Sequence, residues 1–298
     1  MNRTWIVGTR GSKLALKQTE IVVNLLQQLY PDDTFHVKTI KTTGDTVWDK
    51  PLHLIGGKGL FVKEIEEELL AGSIDFAVHS MKDMPTELDE RLTIGAILKR
   101  EDPRDVFLSL KYKSLADIPG GGRIGTNSLR RQSQILFHKS NVSVIPIRGN
   151  VDTRIRKMES EGLDGIILAY AGVIRMGFGN QIREILPFEI MVPPSGQGAI
   201  GIETRNEQDL LSMLGPINDE ISYREVSIER DLQMRIGGGC NTPLGINATI
   251  NKQTLILNMF FGRENGEIIM KDKQEGNIED ADKMVTRASE KLALCRYS

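Results

Sequence analysis

The chain has 298 residues, 40% of them hydrophobic and 26% charged, and a formal net charge of −2. This composition predicts a globular protein of two or three domains and gives no support for general nucleic-acid binding, which usually needs a basic domain. No apolar run reaches the roughly 18 residues of a membrane helix, the first residues lack the pattern of a signal peptide, and two distant cysteines favour a reducing cytoplasm over a disulfide framework.

The first hundred residues alternate short apolar runs with segments of helical periodicity. The runs predict strands at 4–8, 35–41, 74–80 and 92–98, and the periodic segments predict helices at 13–29 and 60–72. This βαβα order predicts a largely parallel sheet with helices on both faces. The segment 42–59 has no clear periodicity, and we expect a mobile flap near a site there, with a simple surface excursion as the alternative.

A second series repeats the pattern, with strands predicted at 105–110, 123–126, 142–148 and 164–169 and helices predicted at 128–139 and 151–160. The charged segment 100–105 and the Pro/Gly-rich segment 193–203 are predicted crossovers between two α/β domains, and the second returns the chain to the first domain. We therefore expect domain 1 to comprise 1–99 plus 197–216 and domain 2 to comprise 100–196.

From residue 217 the pattern changes. A helix is predicted at 221–235, three strands joined by hairpin turns at 244–250, 254–262 and 267–273, and a last helix over the apolar positions from Ala281 to Leu292. These elements predict a third domain over 217–298. The predicted fold class is α/β, with two doubly wound domains and a small α+β domain that contains a three-stranded antiparallel sheet.

Six arginines lie near the carboxyl ends of predicted parallel strands, where open α/β sheets form their ligand crevice. They are Arg10, Arg130, Arg131, Arg148, Arg154 and Arg175. Helix N-termini at this edge favour anions, and a guanidinium adds bidentate recognition of carboxylate or phosphate. One such arginine is most often a surface salt bridge, but six predict a ligand with several negative charges. The pattern does not separate carboxylates from phosphates, and no Walker-type motif favours a nucleotide.

The stretch HSMKDMP, residues 79–85, follows a predicted strand. Lys82 and Asp83 should therefore emerge at the crevice, where a carboxylate can stabilise a developing cation or move a proton. The alternative is that Asp83 only caps a turn before Pro85. We expect His79 to pack or hydrogen-bond locally, and the spacing of the histidines and cysteines predicts no metal site.

Cys240 lies in RIGGGCNTPLG, residues 235–245, where three glycines precede the thiol. A free cysteine is usually a core group, but the glycines and the Asn-Thr-Pro turn predict a loop that another molecule can approach closely. On its chemistry alone the thiol could be a catalytic nucleophile, a redox sensor or a covalent attachment point. We expect no role for Cys295 in the terminal helix.

Nine stretches spread over nearly the whole chain resemble the porphobilinogen deaminase family, also called the hydroxymethylbilane synthases, and follow the family's order. They are GTRGSKLAL, GDTVWDKPLHLIGGKGLFVKEIE, DFAVHSMKDMP, REDPRDVF, GTNSLRRQ, IRGNVDTR, ILAYAG, PPSGQGAIGIE and GGGCNTPLG. Asn127 departs from the serine that is common in the family, and we expect this to change little.

The resemblance implies a monomeric transferase of tetrapyrrole (heme) biosynthesis, whose first two domains are like the two lobes of a periplasmic binding protein. It implies that porphobilinogen is deaminated and four molecules are joined head to tail, releasing hydroxymethylbilane and ammonia. It implies a dipyrromethane cofactor, the primer for chain growth, attached by a thioether to Cys240, and no metal or nucleotide. Asp83 would stabilise cationic pyrroles and shuttle protons. The residues implied to hold the carboxylates of cofactor and substrate are Arg10, Ser12, Lys82, Thr126, Ser128, Arg130, Arg131, Arg148, Arg154 and Arg175.

The sequence leaves two other functions open. The fold alone would permit a two-lobed solute-binding protein that closes over a polyanionic ligand without chemistry, because fold does not determine function. HSMKDMP and GGGC argue against that alternative. A transferase with a cysteine nucleophile and a transient intermediate would need an adjacent histidine base, and none is convincing.

Overall fold

The computed structural model describes residues 2–46, 62–237 and 242–296. Two compact units share the chain: Met1–Arg100 with Ala199–Arg224, and Glu101–Gly198 with Glu225–Ser298. The segments 100–105 and 193–203 contain two of the points where the chain passes between them. The division into three domains stays a prediction. Within the described ranges, every helix is too short or too polar to cross a membrane.

Unit 1 contains a five-stranded sheet with helices on both faces. Its strands are β1 Thr4–Arg10, β2 Thr34–Ile40, β3 Phe76–Ser80, β4 Leu92–Ile97 and β10 Ile200–Arg205. Its helices are α1 Lys13–Leu29, α2 Thr43–Thr46, α3 Lys63–Leu70 and α7 Gln208–Leu214, and α8 Glu220–Ile236 begins in this unit.

The strand order in unit 1 is β2-β1-β3-β10-β4, and β10 is antiparallel to both of its neighbours. Successive strand residues point to opposite faces, so that Phe76 packs with α1 and α7 whereas Ala77 packs with α3. The start of β10 lies beside the end of β3, because Ile200 pairs with Ser80. The returning strand therefore begins at the edge where the parallel strands end.

Unit 2 contains a second five-stranded sheet and a separate three-stranded sheet. The strands of the first are β5 Asp105–Leu108, β6 Arg123–Gly125, β7 Ser143–Ile145, β8 Gly165–Ala169 and β9 Ile182–Ile185. Its helices are α4 Leu129–His138, α5 Val151–Ser160 and α6 Tyr170–Arg175. The order is β7-β6-β8-β5-β9, and β5 is antiparallel to its neighbours. As with β10 in unit 1, the strand that enters from a crossover begins at the carboxyl edge, because Asp105 pairs with Ala169.

The C-terminal sheet is an antiparallel meander of β11 Leu244–Asn251, β12 Thr254–Gly262 and β13 Ile268–Asn277. One face packs against α8 and α9 Ala281–Arg296 around Leu232, Leu257 and Val285. These side chains form an apolar cluster of their own, distinct from the clusters on the five-stranded sheet.

The predicted fold class is confirmed: each five-stranded sheet has four parallel strands and helices on both faces, and the last sheet is antiparallel. Sequence patterns missed α2, α7 and the strands β9 and β10, and they gave no bounds for α6. β10 begins within the predicted crossover 193–203. β9 is a short edge strand whose side chains are alternately half-buried and exposed, so it has no continuous apolar run. Most of the segment predicted as a flap, 47–59, lies outside the described residues.

Candidate active site

Four predicted site residues lie at one edge of the unit 1 sheet. Arg10 is the last residue of β1, and Ser12 caps α1 by accepting a hydrogen bond at Oγ from the backbone N–H of Ala15 at 3.2 Å. Lys82 and Asp83 form a 3-10 turn directly after β3. Because β1 and β3 are adjacent and parallel, both strands end at this edge. The structure thus brings a helix N-terminus, two cationic side chains and a carboxylate to one edge.

Asp83 is exposed at this edge, and within the described part of the chain its carboxylate makes no hydrogen bond or ion pair. The backbone around it is well held. Met81 is 2% exposed, its N–H donates to the carbonyl of Ala199 at 3.1 Å, and its side chain covers Gly201. A Cβ at Gly201 would lie 2.1 Å from the sulfur of Met81, so only glycine permits this contact. An unpaired carboxylate on a well-held backbone can act on a bound cation.

In unit 2, three adjacent parallel strands bring predicted site residues to one edge. After β6, buried Thr126 accepts a hydrogen bond at Oγ1 from the N–H of Ser128 at 3.2 Å, and Ser128 Oγ accepts from the N–H of Arg131 at 3.4 Å as the cap of α4. After β7, half-buried Arg148 precedes Gly149, and Arg154 Nε donates to the Gly149 carbonyl at 2.7 Å. Arg154 therefore folds back towards the loop that carries Arg148.

Gly149 is required by its conformation as well as by its surroundings. Its φ is +121°, and a Cβ there would lie 2.6 Å from the side chain of Thr153. Arg175, at the end of α6, donates from Nη2 to the carbonyl of Gly198 at 2.6 Å, and burial lowers the pKa of Arg175 against the opposing effect of Glu101. Arg175 thus contacts the backbone of the second crossover.

Arg130 and Arg131 are buried and share one carboxylate, Asp105. Arg130 Nη2 donates to Asp105 Oδ2 at 2.7 Å, and Arg131 donates to Oδ1 from Nε at 3.2 Å and from Nη2 at 2.7 Å. Gln197 Nε2 donates the fourth hydrogen bond to this carboxylate, to Oδ1 at 3.0 Å. Burial alone would raise the pKa of Asp105, but the two guanidiniums outweigh it and hold the pKa at about 2.

This pairing changes what the two arginines can do. Each guanidinium carries five N–H donors in a planar fork, and the described residues occupy two of those of Arg130 and three of those of Arg131. Any ligand carboxylate must use the donors that remain. Sequence reasoning missed Asp105 and Gln197, which lie in the stretches REDPRDVF and PPSGQG, interpreted as crossovers and as stretches that resemble the family. The burial of the two arginines, which requires a buried acid beside them, is seen only in the structure.

The Asp105→Asn variant is expected to lower the free energy of unfolding by about 3–5 kcal/mol, because removing one partner leaves two buried guanidiniums without their counter-ion. Denaturant unfolding at neutral pH measures this loss. The matched control is Asp102→Asn in the same segment, whose pair with Arg104 is partly exposed and is worth about 1 kcal/mol or less. Equal losses for the two variants would contradict the importance of the buried pair.

Cys240 lies outside the described residues, and its role stays a prediction. The described residues on either side are well anchored. α8 ends at Ile236 and is followed by Gly237 with φ of +69°, a helix-terminating conformation. Arg235, in the last turn, donates to Asp231 and to Asp282 of α9 at 2.6–2.9 Å. These bonds raise the pKa of Arg235.

The fold and these strand edges together define a class: an α/β protein whose two units each place cations and helix N-termini at the carboxyl edge of a sheet, as a binder of polyanionic small molecules does. The sequence shows the family within this class. The family model described as "Porphobilinogen deaminase, dipyromethane cofactor binding domain" matches residues 5–212. The model described as "Porphobilinogen deaminase, C-terminal domain" matches residues 223–293. The chain belongs to the porphobilinogen deaminase family.

Similar proteins cover nearly the whole chain. The porphobilinogen deaminase of Geobacillus kaustophilus is 48% identical over 91% of this chain and 88% of its own length. The porphobilinogen deaminase of Alkaliphilus metalliredigens is 46% identical over 93% of this chain and 88% of its own length. That of Carboxydothermus hydrogenoformans is 45% identical over 98% of this chain and 94% of its own length. The resemblance first seen in nine short stretches is therefore confirmed along the chain.

The chemistry of the donor set fits a dipyrromethane, the cofactor of this family. Each pyrrole ring of such a group carries carboxylate side chains, and the described edges offer guanidinium, ammonium, hydroxyl and helix N-terminal N–H donors. Arginine forks suit carboxylates because they bind both oxygens at once. Which residues hold its carboxylates stays a prediction, for the set Arg10, Ser12, Lys82, Thr126, Ser128, Arg130, Arg131, Arg148, Arg154 and Arg175.

Proposed function

We propose that this chain is a porphobilinogen deaminase, a transferase that removes ammonia from four porphobilinogen molecules and joins them head to tail into hydroxymethylbilane, using a dipyrromethane primer attached to Cys240. The observation that carries the proposal is the edge of the unit 1 sheet, where exposed Asp83 follows Lys82 after β3 and the adjacent parallel strand β1 ends at Arg10. Membership in the family supplies the substrate and the cofactor.

In unit 1, binding and charge stabilisation are carried by different residues. Arg10 and Lys82 attract the acetate and propionate groups of porphobilinogen, and the N-terminus of α1 adds N–H donors beyond the one that Ser12 caps. Asp83 faces the positive charge that develops as ammonia leaves. Its carboxylate stabilises that charge, and one of its oxygens can accept a proton and return it.

In unit 2, the residues bind carboxylates and hold one another in place. Thr126 and Ser128 present hydroxyls at the start of α4, and Arg148 and Arg154 present guanidiniums at the start of α5. Arg130 and Arg131, fixed on Asp105, add donors of defined direction. Arg175 would join them from the end of α6. An array of this kind suits a product whose negative charge grows with every added pyrrole.

Cys240 supplies a covalent attachment that is not remade in each reaction cycle. When bound, the primer supplies the pyrrole carbon from which the chain grows. The glycines before Cys240 give room for a bulky group next to the thiol. The monomeric state, the cytoplasmic location, the absence of a nucleic-acid partner and the three-domain division stay predictions.

The direct test is conversion of porphobilinogen by the purified protein. We expect four molecules of ammonia for each linear tetrapyrrole released, measured by an ammonia assay and by absorbance after oxidation to uroporphyrin. A reaction without protein measures the spontaneous background. Recovery of unchanged porphobilinogen from the protein would favour the solute-binding alternative, which closes over a polyanion without reaction.

A further inference from the structure

A buried pair of ionisable side chains lies on the α3 face of the unit 1 sheet. His79 of β3 is 5% exposed and Glu203 of β10 is 0% exposed, and His79 Nε2 lies 3.1 Å from Glu203 Oε2. Within the described residues, three atoms of this pair make no hydrogen bond: both carboxylate oxygens of Glu203 and the Nε2 of His79. Burying a carboxylate without hydrogen bonds is costly unless a cation or a proton neutralises it. The pair is therefore sensitive to the charge around it.

Glu66 of α3 is the third member of this buried acid cluster, which we define as His79, Glu203 and Glu66. Its Oε1 is buried and without a hydrogen bond in the described structure. Burial, with smaller contributions from Glu203 and Asp89 and against the opposing effect of His79, raises the pKa of Glu66 to about 7. The folded protein holds this proton more tightly than the unfolded chain does. The resulting stability is present below about 4.5 and is lost as the pH rises through about 7.

Other charged groups near the cluster already have partners. On β10, two residues beyond Glu203, Arg205 donates to the carbonyls of Leu69 and Ile74. Asp89, in the turn before β4, is paired with Arg91, which holds the pKa of Asp89 at about 2. Arg205 and Asp89 are therefore both engaged with groups outside the cluster.

The cluster is directly connected to the turn that carries Lys82 and Asp83. His79 pairs with Gly201 across β3 and β10, and Met81, two residues further on, lies over Gly201. Along the chain, His79 is four residues and Met81 two residues before Asp83. A displacement of His79 relative to β10 would move Met81 and, with it, the backbone of the turn.

We propose that the buried acid cluster is a positioning device for the Lys82–Asp83 turn, and that the proton on Glu66 determines how firmly it holds. With Glu66 protonated, the buried cluster carries one negative charge fewer than with Glu66 ionised. Ionisation of Glu66 adds repulsion from the carboxyl group of Glu203, and this repulsion loosens the contact between α3, β3 and β10. His79, Glu203 and Glu66 act through the turn and do not touch the reacting atoms.

The Glu66→Gln variant tests this, because glutamine imitates the protonated acid at every pH. The matched control is Glu67→Gln, the next residue of α3, whose side chain is 63% exposed and faces Lys63. Amide hydrogen exchange over residues 79–84, corrected for intrinsic rates, is measured in the full-length protein at about pH 6 and about pH 8, on either side of about 7. We expect wild type and Glu67→Gln to lose about threefold or more of their protection at the higher pH, and Glu66→Gln to keep it.

Turnover of porphobilinogen gives the second readout, and this part of the inference rests on the proposed function. The ratio of kcat of Glu66→Gln to kcat of wild type should rise about threefold or more between the same two pH values, while the corresponding ratio for Glu67→Gln stays constant. A purely structural Glu66 would change the melting temperature but leave both the protection and the kcat ratio independent of pH, and that result would overturn the proposal. Amide exchange can be measured without turnover. An inactive wild type would therefore contradict the proposed function but would leave the exchange data as the test of whether the cluster positions the turn.

Discussion

The Cys240→Ser variant is expected to have the mass of its sequence alone and to convert no porphobilinogen. Wild type should be heavier by two porphobilinogen units less two ammonias, the mass of an attached dipyrromethane. Serine differs from cysteine by one atom but is a far weaker nucleophile at neutral pH, so it should not form the link. Intact-protein mass spectrometry and the porphobilinogen assay measure the two effects on the same preparations.

Cys295→Ser is the control, because it removes the second of the two cysteines from the terminal helix. It should keep both the additional mass and the turnover. The melting temperature of Cys240→Ser, compared with that of wild type freed of cofactor, separates loss of attachment from loss of fold. Full activity in an unmodified wild type, or additional mass that persists in Cys240→Ser, would refute the attachment.

The residues at the sheet edges could be predicted because the point at which a strand ends is a local property of the sequence. An apolar run that stops at Arg10, or at HSMKD, places the next side chains at the carboxyl edge whatever the rest of the chain does. The residues before the next helical segment offer two possible caps, Thr126 and Ser128, and in the structure Ser128 is the cap of α4. Family resemblance then supplied the chemistry that these positions share.

The partners of buried charges could not be predicted in this way. Asp105 lies 25 residues from Arg130, and Glu203 meets His79 across two strands that are far apart in sequence. Such pairs arise only when a crossover strand returns beside a parallel one, and the periodicity of a strand does not reveal its direction or its neighbours. The expectation that His79 packs locally was correct about its burial, but the position of Glu203 opposite it required the tertiary structure.

The Asp83→Asn variant is expected to lower kcat by a factor of about 10²–10⁴, the usual contribution of a positioned acid or base. Asparagine keeps the size of the side chain but can neither balance a developing cation nor take up a proton. KM should change far less, because we propose that other side chains, among them Arg10 and Lys82, bind the substrate carboxylates. Steady-state kinetics on protein reconstituted with preformed primer measures both constants, so that slow cofactor assembly does not enter the rate.

Asp32→Asn provides the comparison for this loss. Asp32 is exposed and precedes β2, at the opposite edge of the same sheet from Asp83. The two substitutions change net charge equally, so any general electrostatic effect on a polyanionic substrate should appear in both variants. A large loss of kcat confined to Asp83→Asn would place the effect at the turn after β3. If both variants turned over at nearly the wild-type rate, Asp83 would have no catalytic part, and the exposed carboxylate would be no more than the end of a turn before Pro85.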